Sequence, residues 1–361
     1  MVSGISGLSG HRSLARSIRT LAVVGAILLL ASCSATGNEP APSSTPPPPP
    51  ASPTAGNAIP DLDPNRFRVW LAELRQEAAS QGIRPAVLDD TLNGIRPLRR
   101  VIELDRSQPE FTLTFDQYLG RTVPAARVAR GRQLLAENRT LLGEISAAYK
   151  VQPRFIVALW GIETDFGRVT GGFNVVEALA TLAFEGRRAN YFRTELMLAL
   201  QIVNDGHISA KDMRGSWAGA MGQSQFMPSS FVKYALDYDR DGRRDIWSTR
   251  SDVLASIANY LNQVGWRDDQ TWGREVKFDE QVDRSTLSGS RSLAEWGKLG
   301  VRRIDGGPLP RRPVIASLVT LDGPRPRTFL VYDNYRAILK WNRSTFFALA
   351  VGLLADQLDG G

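Results

Sequence analysis

Residues 155–167 read FIVALWGIETDFG, an apolar segment that leads directly into Glu163. The apolar run predicts a buried helix that ends near the glutamate. A carboxyl group at the end of such a helix, between Trp160 and Phe166, is expected to be partly desolvated, and desolvation favours the protonated form. The segment therefore predicts a carboxyl group with a raised pKa, which is what a general acid needs near neutral pH.

The neighbouring carboxylate, Asp165, cannot share a helix face with Glu163 because it lies only two residues further on. We therefore interpret Asp165 as a loop-capping or orienting residue. A glutamate at a helix end can also be purely structural and form a salt bridge. The interpretation of Glu163 thus depends on the motifs around it.

Apolar residues recur at helical spacing along most of the chain. A first amphipathic helix is predicted over residues 67–78 and ends before Gly82. Further helical patterns cover residues 128–137, 141–149, 153–162, 175–184, 193–203, 252–264 and 345–358. Strand-like segments occur only late, at residues 314–321, 329–332 and 337–339. These patterns predict a mainly α-helical body with a small β element.

The first 60 residues have a different composition. Arginines at 12, 16 and 19 precede an apolar run, residues 21–31, that is too short to span a bilayer comfortably and suits a signal peptide. The single cysteine of the chain, Cys33, follows directly in the sequence LASC, which resembles the lipid-attachment signal of bacterial lipoproteins. An ordinary signal peptide with an incidental cysteine is the alternative.

Cleavage before Cys33 would remove residues 1–32 and leave a lipid anchor, which holds a protein on a membrane through about 0.8 kcal/mol per buried CH₂. Ser34 resembles the signal for sorting to the outer membrane, where the protein would face the periplasm. Residues 33–60, rich in proline and serine, predict an extended tether. The folded body is then expected over residues 61–361.

Composition excludes several classes of protein. The formal net charge is +7 and falls to +4 without the leader arginines, a weak bias toward acidic partners. No basic block with interleaved aromatic residues marks a nucleic-acid surface. With two histidines and one cysteine, a zinc site of these residues is not expected, and a Ser-His-Asp hydrolase would depend on His207 alone. His207 follows Asn-Asp-Gly and is interpreted as a surface loop residue.

Three motifs occur in order along the chain: GIETDFG at 161–167, GSWAGAMG at 215–222 and QFMPSS at 225–230. Together with NYL at 259–261 and WNRS at 341–344, they resemble the B-type lytic murein transglycosylases. The resemblance covers nearly everything after the linker. It implies a lysozyme-like α+β core, at about residues 120–265, with additional helices and a small β element.

The resemblance also implies a reaction. It is cleavage of the β-1,4 bond between N-acetylmuramic acid and N-acetylglucosamine in peptidoglycan glycan strands, with formation of a 1,6-anhydromuramoyl end and no addition of water. Most glycosidases need two carboxylates. Here the 6-hydroxyl of the substrate is the nucleophile, so Glu163 alone would first donate and then accept a proton. No cofactor is required for this chemistry, and a tethered monomer is expected.

The resemblance assigns substrate-binding side chains as well. Ser216 and Asn342 fall where the family places polar groups against the N-acetyl region of the muramoyl sugar, and Gln225 falls where the family lines the cleft. The matching cleft tyrosines are Tyr118, Tyr191 and Tyr260. These tyrosines could stack on sugar faces or orient the acid, and the alternative for each is a place in the core.

An acidic loop over residues 237–248 carries the ligand order of an EF-hand. The candidate ligands are Asp237, Asp239, Asp241, Arg243 and Asp252. Position nine is Asp245, but position twelve is Ser248 instead of the usual glutamate ligand. Asp252 would have to supply that ligand in a loop longer than an EF-hand. Some members of the resembled family hold a metal here, and we expect a structural Ca²⁺. The alternative is an acidic turn paired with neighbouring arginines.

Two other functions stay open on the sequence. A muramidase would use the same acid with water and leave a reducing end. A non-catalytic lipoprotein could bind peptidoglycan and scaffold other cell-wall proteins. Glu163, Ser216 and Asn342 argue against the scaffold, because a binding module has no need of an acid at the end of an apolar helix.

Overall fold

The computed structural model of the protein describes residues 62–106, 113–283, 287–323 and 326–359. The predicted leader and tether, with Cys33, lie outside these residues. Within them, none of the helices is both long and apolar enough to cross a membrane.

The described part of the chain is mainly α-helical, as the sequence predicted. The helices are α1 Pro64–Ser80, α2 Pro85–Leu92, α3 Arg99–Arg106, α4 Phe115–Thr122, α5 Ala125–Glu137, α6 Arg139–Tyr149, α7 Pro153–Thr164, α8 Val175–Glu185, α9 Ala189–Asn204, α10 Pro228–Tyr234, α11 Arg250–Gln263, α12 Leu293–Lys298, α13 Asp333–Trp341 and α14 Thr345–Leu358. The strands are β1 Phe173–Asn174, β2 Arg214–Gly215, β3 Gly273–Phe278, β4 Ser290–Ser292, β5 Val301–Arg303, β6 Ile315–Leu321 and β7 Arg327–Val331.

Helix α1 shows how local sequence sets an element's boundaries. The Asp63 side chain accepts a hydrogen bond from the Asn65 N–H at 2.8 Å and so caps the first turn, and Pro64 fits the first helical position because its missing N–H would be unpaired there anyway. The helix buries Phe67, one turn in, with the apolar residues that follow at helical spacing. The chain then turns at Gly82, whose φ is 90°.

Helix α7 is the centre of the helical body. Every residue from Phe155 to Gly161 is buried, and the helix packs against α5, α6, α11 and α14. A stretch that is apolar on all sides needs such surroundings, which explains why residues 155–162 carry no charge. Its carboxyl end is therefore held in a fixed place by the core.

The β element is a five-stranded antiparallel sheet in the order β4-β6-β7-β3-β5. It has a hydrophobic cluster of its own, built around Leu293, Trp296 and Leu330. The predicted strands at 314–321 and 329–332 are confirmed as β6 and β7. The predicted strand at 337–339 is wrong, because these residues lie in α13. A three-residue apolar run fits a strand and a helix equally well, and packing against α14 decides for the helix.

A smaller two-stranded sheet pairs β1 with β2 in antiparallel register. It joins the segment after α7 to the start of the GSWAGAMG motif. The loop between β2 and α10, residues 216–227, is held beside the carboxyl end of α7, where the Thr164 hydroxyl donates to the Gln223 carbonyl at 2.8 Å.

Candidate active site

Glu163 lies in the last turn of α7, with a partly buried side chain. Its Oε1 accepts a hydrogen bond of 2.7 Å from Nε1 of Trp341, at the end of α13. Burial raises the pKa of Glu163 to about 7, and the Trp341 hydrogen bond acts in the opposite direction because it stabilises the charged form. The raised pKa predicted from the apolar helix is confirmed.

Trp341 is held by a cluster of aromatic rings. Its ring centroid lies 4.6 Å from that of Tyr260 and 5.2 Å from that of Phe226. The Tyr260 hydroxyl donates a hydrogen bond of 2.7 Å to the carbonyl of Lys340, the residue before Trp341. These contacts fix the direction in which the indole N–H points, so the position of the hydrogen bond to Glu163 is set by packing.

The placement of Tyr260 favours the core alternative over an open cleft. Its side chain is only 8% exposed, and burial raises the pKa of its hydroxyl to about 12. No hydrogen bond joins it to Glu163 in the described part of the chain, and its contact with a sugar stays a prediction. It supports Trp341, which does bind Glu163.

The turn after Glu163 has an unusual backbone. Asp165 and Phe166 both have positive φ, 51° and 61°, a left-handed conformation that costs non-glycine residues energy. Asp165 ends α7 and forms ion pairs with Arg127, at 3.2 Å, and with Arg168. Burial alone would raise the pKa of Asp165, but the hydrogen bonds and charges of the two arginines outweigh burial and lower it. The interpretation of Asp165 as a capping residue is confirmed.

Ser216 and Gln225 both shape the loop that faces this turn. The Ser216 hydroxyl accepts hydrogen bonds from the N–H groups of Ala218, at 3.3 Å, and Ala220, at 3.0 Å. The Gln225 amide donates to the carbonyl of Thr170 at 3.1 Å and so ties the loop to the segment after α7. Both side chains are partly exposed and sit on the same loop.

Gln223 connects this loop to α7 and was not predicted. Its Oε1 accepts a hydrogen bond of 2.9 Å from Nε1 of Trp160, and its carbonyl accepts one of 2.8 Å from the Thr164 hydroxyl. Thr164 is the residue directly after Glu163. The sequence signal for this role is the place of Gln223 inside the GSWAGAMGQSQF stretch. Gln223 and Thr164 are 59 positions apart, so local sequence does not show that they meet.

Asn342 directly follows Trp341 and is exposed, and its side-chain oxygen accepts a hydrogen bond of 3.0 Å from the Ser344 N–H. Tyr118 is partly buried and packs against Phe346, with ring centroids 5.7 Å apart. These placements leave the substrate-binding roles of Asn342 and Tyr118 as predictions.

Tyr191 is 48% exposed on α9 and lies beside Glu195. The buried Glu195 carboxylate accepts hydrogen bonds from the N–H of Ser229, at 2.9 Å, and from its hydroxyl, at 2.7 Å. Tyr191 is thus connected to the QFMPSS motif through Glu195, and its contact with a sugar stays a prediction.

His207 is not arranged as a catalytic base. Its Nδ1 accepts a hydrogen bond of 3.2 Å from the backbone N–H of Arg244, and its ring packs on Phe231 at 5.5 Å. Burial and the neighbouring Arg244 charge lower its pKa. This arrangement argues against a Ser-His-Asp hydrolase.

The acidic loop brings three of its predicted ligands together. Carboxylate oxygens of Asp237, Asp239 and Asp252 lie within 4.8 Å of one another. Asp241 is turned toward Arg243, whose N–H donates to it at 2.8 Å. Three hard carboxylate oxygens at this spacing are donors that suit Ca²⁺.

Asp245, at position nine of the loop, is not directed at the cluster. Its carboxylate accepts hydrogen bonds of 2.9 Å from the N–H groups of Trp247 and Ser248. Asp252 is fully buried and accepts hydrogen bonds of 2.8 Å from the N–H groups of Tyr238 and Asp245, so it joins the two ends of the loop. The loop thus departs from an EF-hand at position nine as well as at position twelve.

A mainly helical body with one partly buried acid of near-neutral pKa, facing a polar loop, defines the class of lysozyme-like glycosidases. Residues 66–356 match the family model described as the transglycosylase SLT domain. The chain therefore belongs to this family, and the resemblance to the lytic transglycosylases that its motifs indicated is confirmed.

Individual relatives agree with this assignment. The chain is 36% identical over 249 residues to the membrane-bound lytic murein transglycosylase B of Escherichia coli (strain K12). The matched region is 67% of this chain and 66% of that protein. The chain is similar to the crystal structure of SltB3 from Pseudomonas aeruginosa in complex with NAG-NAM-pentapeptide, at 45% identity and a TM-score of 0.79, covering 82% of this chain and 80% of that one. It is also similar to Escherichia coli Slt35 in complex with calcium, at 27% identity and a TM-score of 0.67, covering 82% and 93%.

Proposed function

We propose that this chain is a lytic transglycosylase that cleaves the β-1,4 bond between N-acetylmuramic acid and N-acetylglucosamine in peptidoglycan. The observation that carries the proposal is Glu163, a carboxyl group with a pKa of about 7 that is hydrogen-bonded to Trp341 and held at the end of a buried helix. At pH 7 about half of such groups are protonated, so both forms needed for acid and base catalysis are populated.

The geometry of Glu163 suggests how one carboxyl group serves both steps. Because Trp341 binds Oε1, the proton of the acid form resides on Oε2. The acid donates this proton to the glycosidic oxygen as the bond to the muramoyl C1 breaks. The resulting carboxylate accepts the proton of the muramoyl 6-hydroxyl as that oxygen bonds to C1. Glu163 ends protonated, the product is a 1,6-anhydro sugar, and no water is consumed.

The surroundings of Glu163 favour this route over hydrolysis with two carboxylates. Glycosidases of that kind place a second carboxylate about 5–10 Å from the acid, as nucleophile or as base for water. Asp165 is the nearest carboxylate in the sequence, but it is engaged by Arg127 and Arg168 and has a lowered pKa. A substrate that supplies its own nucleophile does not need a second carboxylate.

Mass spectrometry of digested peptidoglycan sacculi tests this proposal. We expect the wild type to release anhydro-muropeptides, each lighter by one water than the hydrolysis product, and Glu163→Gln to release none. Glu144→Gln, an exposed change on α6, is the matched control and should act like the wild type. Reducing-end products would indicate a muramidase instead. A folded wild type that binds sacculi without releasing products would indicate a binding scaffold.

We further propose that the acidic loop holds a structural Ca²⁺ through Asp237, Asp239 and Asp252. Their convergence supports this, as does the similarity to Slt35, which has been solved in complex with calcium. Calorimetric titration should show Ca²⁺ binding, and Ca²⁺ should raise the melting temperature because a ligand of the folded state stabilises it. Asp237→Asn should abolish both effects, whereas the exposed Asp90→Asn on α2 should not. Absence of heat and of any melting shift in the wild type would refute the site.

We also propose that the protein is an outer-membrane lipoprotein facing the periplasm, with a leader over residues 1–32, a tether over 33–60 and a monomeric catalytic body over 61–361. The leader composition and the LASC sequence at Cys33 support this. The similar Escherichia coli protein is described as membrane-bound. The lipid would then hold the body within reach of the cell wall.

A further inference from the structure

Each of the four polar atoms of Gln223 has a hydrogen-bond partner within the protein. Its Oε1 accepts from Nε1 of Trp160 at 2.9 Å, and its carbonyl accepts from the Thr164 hydroxyl at 2.8 Å, so both of these bonds lead to α7. Its Nε2 donates to the Trp247 carbonyl at 2.8 Å, and its backbone N–H donates to the Ile246 carbonyl at 2.8 Å. Gln223 therefore joins the loop over residues 216–227 to α7 on one side and to the end of the acidic loop on the other.

The two bonds to α7 lie on either side of Glu163 along the helix. With 3.6 residues per turn, residues 160 and 164 lie on the same helix face, and residue 163 lies next to that face. Trp160 precedes Glu163 by three residues, and Thr164 follows it directly. The last turn of α7 therefore cannot rotate or slide along its axis without breaking a bond to Gln223.

The turn that follows Glu163 packs on the same side chain. The second and third residues after Glu163 have φ angles of 51° and 61°, and such a backbone persists only where surrounding contacts hold it. Gly167 comes next, and a Cβ added to it would overlap Oε1 of Gln223. The Gly167 N–H donates at 3.0 Å to the Thr164 hydroxyl, which donates to Gln223 in turn. Gln223 is therefore one of the contacts that hold this turn in place.

The loop over residues 216–227 has other bonds that set its own shape. The Ser216 hydroxyl accepts two backbone N–H groups of the loop. The backbones of Met221 and Phe226 exchange hydrogen bonds of 2.8 and 3.1 Å, and Gln223 lies between these two residues. Loss of the Gln223 amide should therefore change how the loop sits against α7 more than it changes the loop itself.

We propose that Gln223 is a positioning residue that fixes the catalytic acid relative to the loop that carries Ser216 and Gln225. Because its polar atoms are bound within the protein, it acts through α7 and not on the substrate. The proposal rests on the proposed function, since it needs a reaction at Glu163. A displacement of about 1 Å in an active site can cost about a hundredfold in rate. Loss of this positioning should lower kcat while KM stays nearly the same.

Gln223→Met tests the proposal, because methionine has a similar length, cannot donate a hydrogen bond and accepts one only weakly. Gln152→Met, at the other end of α7, is the matched control. Oε1 of Gln152 accepts from Nε1 of Trp266 at 2.8 Å, and its Nε2 donates to the carbonyls of Asp268, at 2.7 Å, and Gln270, at 3.0 Å. Both variants lose an indole bond and bonds to backbone carbonyls, so both should unfold at a lower urea concentration.

Kinetics on soluble glycan strands separate the two variants. We expect Gln223→Met to lower kcat about tenfold or more and to change KM by less than about twofold, because the acid is misplaced while sugar binding persists. Gln152→Met should keep both constants of the wild type. A purely structural role of Gln223 would give the two variants the same kinetics.

Thr164→Val breaks the connection that runs through the Gln223 carbonyl and leaves the Gln223 side chain in place. Its control is Thr181→Val on α8. The buried Thr181 hydroxyl also accepts from a backbone N–H, that of Leu98 at 3.0 Å, and also donates to a backbone carbonyl, at 2.8 Å. We expect a lower kcat in Thr164→Val only. This second pair decides the question if Gln223→Met does not fold.

Two results would overturn the positioning role. One is the same kcat in Gln223→Met and Gln152→Met, and the other is a raised KM with an unchanged kcat, which would make Gln223 a substrate-binding residue. Reducing-end products from the wild type would contradict the transglycosylase but leave the comparison valid, since a muramidase uses the same acid. A wild type that cleaves no strands would contradict the proposed function itself, and the positioning role with it.

Discussion

Two opposing effects set the pKa of Glu163. Burial at the end of α7 disfavours the carboxylate, while the indole N–H of Trp341 stabilises it, and the balance lies at about 7. An acid that must donate a proton and then accept one works best when both forms have similar free energy. Under the proposed function, the aromatic cluster that holds Trp341 therefore helps to set the pKa of the acid, against the larger effect of burial.

We expect Trp341→Phe to raise the pKa of Glu163 further, because the ring contacts remain but the N–H that stabilises the carboxylate is lost. The alkaline limb of the pH profile of kcat/KM, along which the acid loses its proton, should move to higher pH. Activity at neutral pH should fall by roughly tenfold, since a hydrogen bond to a charged group contributes about 1.5–3 kcal/mol.

The matched control is Trp296→Phe, which removes an indole hydrogen bond of 2.9 Å to the Ala316 carbonyl in the sheet. It should lower stability without moving the limb. An alkaline limb that stays in place in Trp341→Phe would show that the indole does not tune the acid.

Glu163→Gln should stabilise the fold at alkaline pH while it abolishes activity. The pKa of the folded state, about 7, lies above the ordinary value of 4.5. Below pH 4.5 the group is protonated in both the folded and the unfolded state, so its ionisation does not change the free energy of unfolding. As the pH rises from 4.5 through 7, the unfolded state ionises first, so stability falls by up to about 3 kcal/mol.

Gln removes this loss and keeps an oxygen for the Trp341 hydrogen bond. Urea unfolding should therefore show a gain in the free energy of unfolding at pH 8 and almost none at pH 4. Glu144→Gln on α6 should show no comparable difference between these pH values. Equal stability of Glu163→Gln and wild type at pH 8 would mean that the carboxylate is not destabilised by burial.

At the scale of elements, the apolar spacing of the sequence predicted the long helices correctly, because each of them buries one face or all of its surface. Short elements were missed or wrong for the opposite reason. Residues 337–339 are too few to show a period, and β4 and β5 have three residues each and pair with distant strands. Their structure depends on partners that local sequence does not contain.

The end of α7 depends on a close contact at a glycine. A Cβ added to Gly161 would lie 2.7 Å from the Phe166 ring, which folds back under the helix. Gly161→Ala should therefore displace Phe166 and the strained turn at Asp165, lowering the free energy of unfolding by about 1–3 kcal/mol and activity with it.

Gly143→Ala on α6 is the control for this change. A Cβ there meets nothing within 4 Å, so higher helix propensity should stabilise the protein by about 0.5–1 kcal/mol. Chemical unfolding and cleavage assays on both variants check the prediction. A stabilised, fully active Gly161→Ala would contradict the role of this contact.

At the scale of the whole molecule, the site combines what local sequence shows with what only packing creates. Glu163 was predictable because the apolar helix before it is continuous in sequence. Its hydrogen bond to Trp341 was not, because the two residues are 178 positions apart and meet only when α14 packs on α7 and α13 on α14. Tyr260 was assigned to a cleft by resemblance, and its burial against Trp341 is likewise a result of tertiary packing.

Anchoring and catalysis should be separable in this molecule, because Glu163 and its hydrogen-bond partner Trp341 both lie far in sequence from Cys33. Cys33→Ala removes the proposed lipid attachment site, and each buried CH₂ of an acyl chain contributes about 0.8 kcal/mol to membrane binding. We expect this variant to leave the membrane fraction and to keep the kcat/KM of the wild type on soluble glycan strands. Ser43→Ala, in the same proline-rich segment, should stay with the membrane. Continued membrane association of Cys33→Ala would show that something other than a lipid on this cysteine holds the protein there.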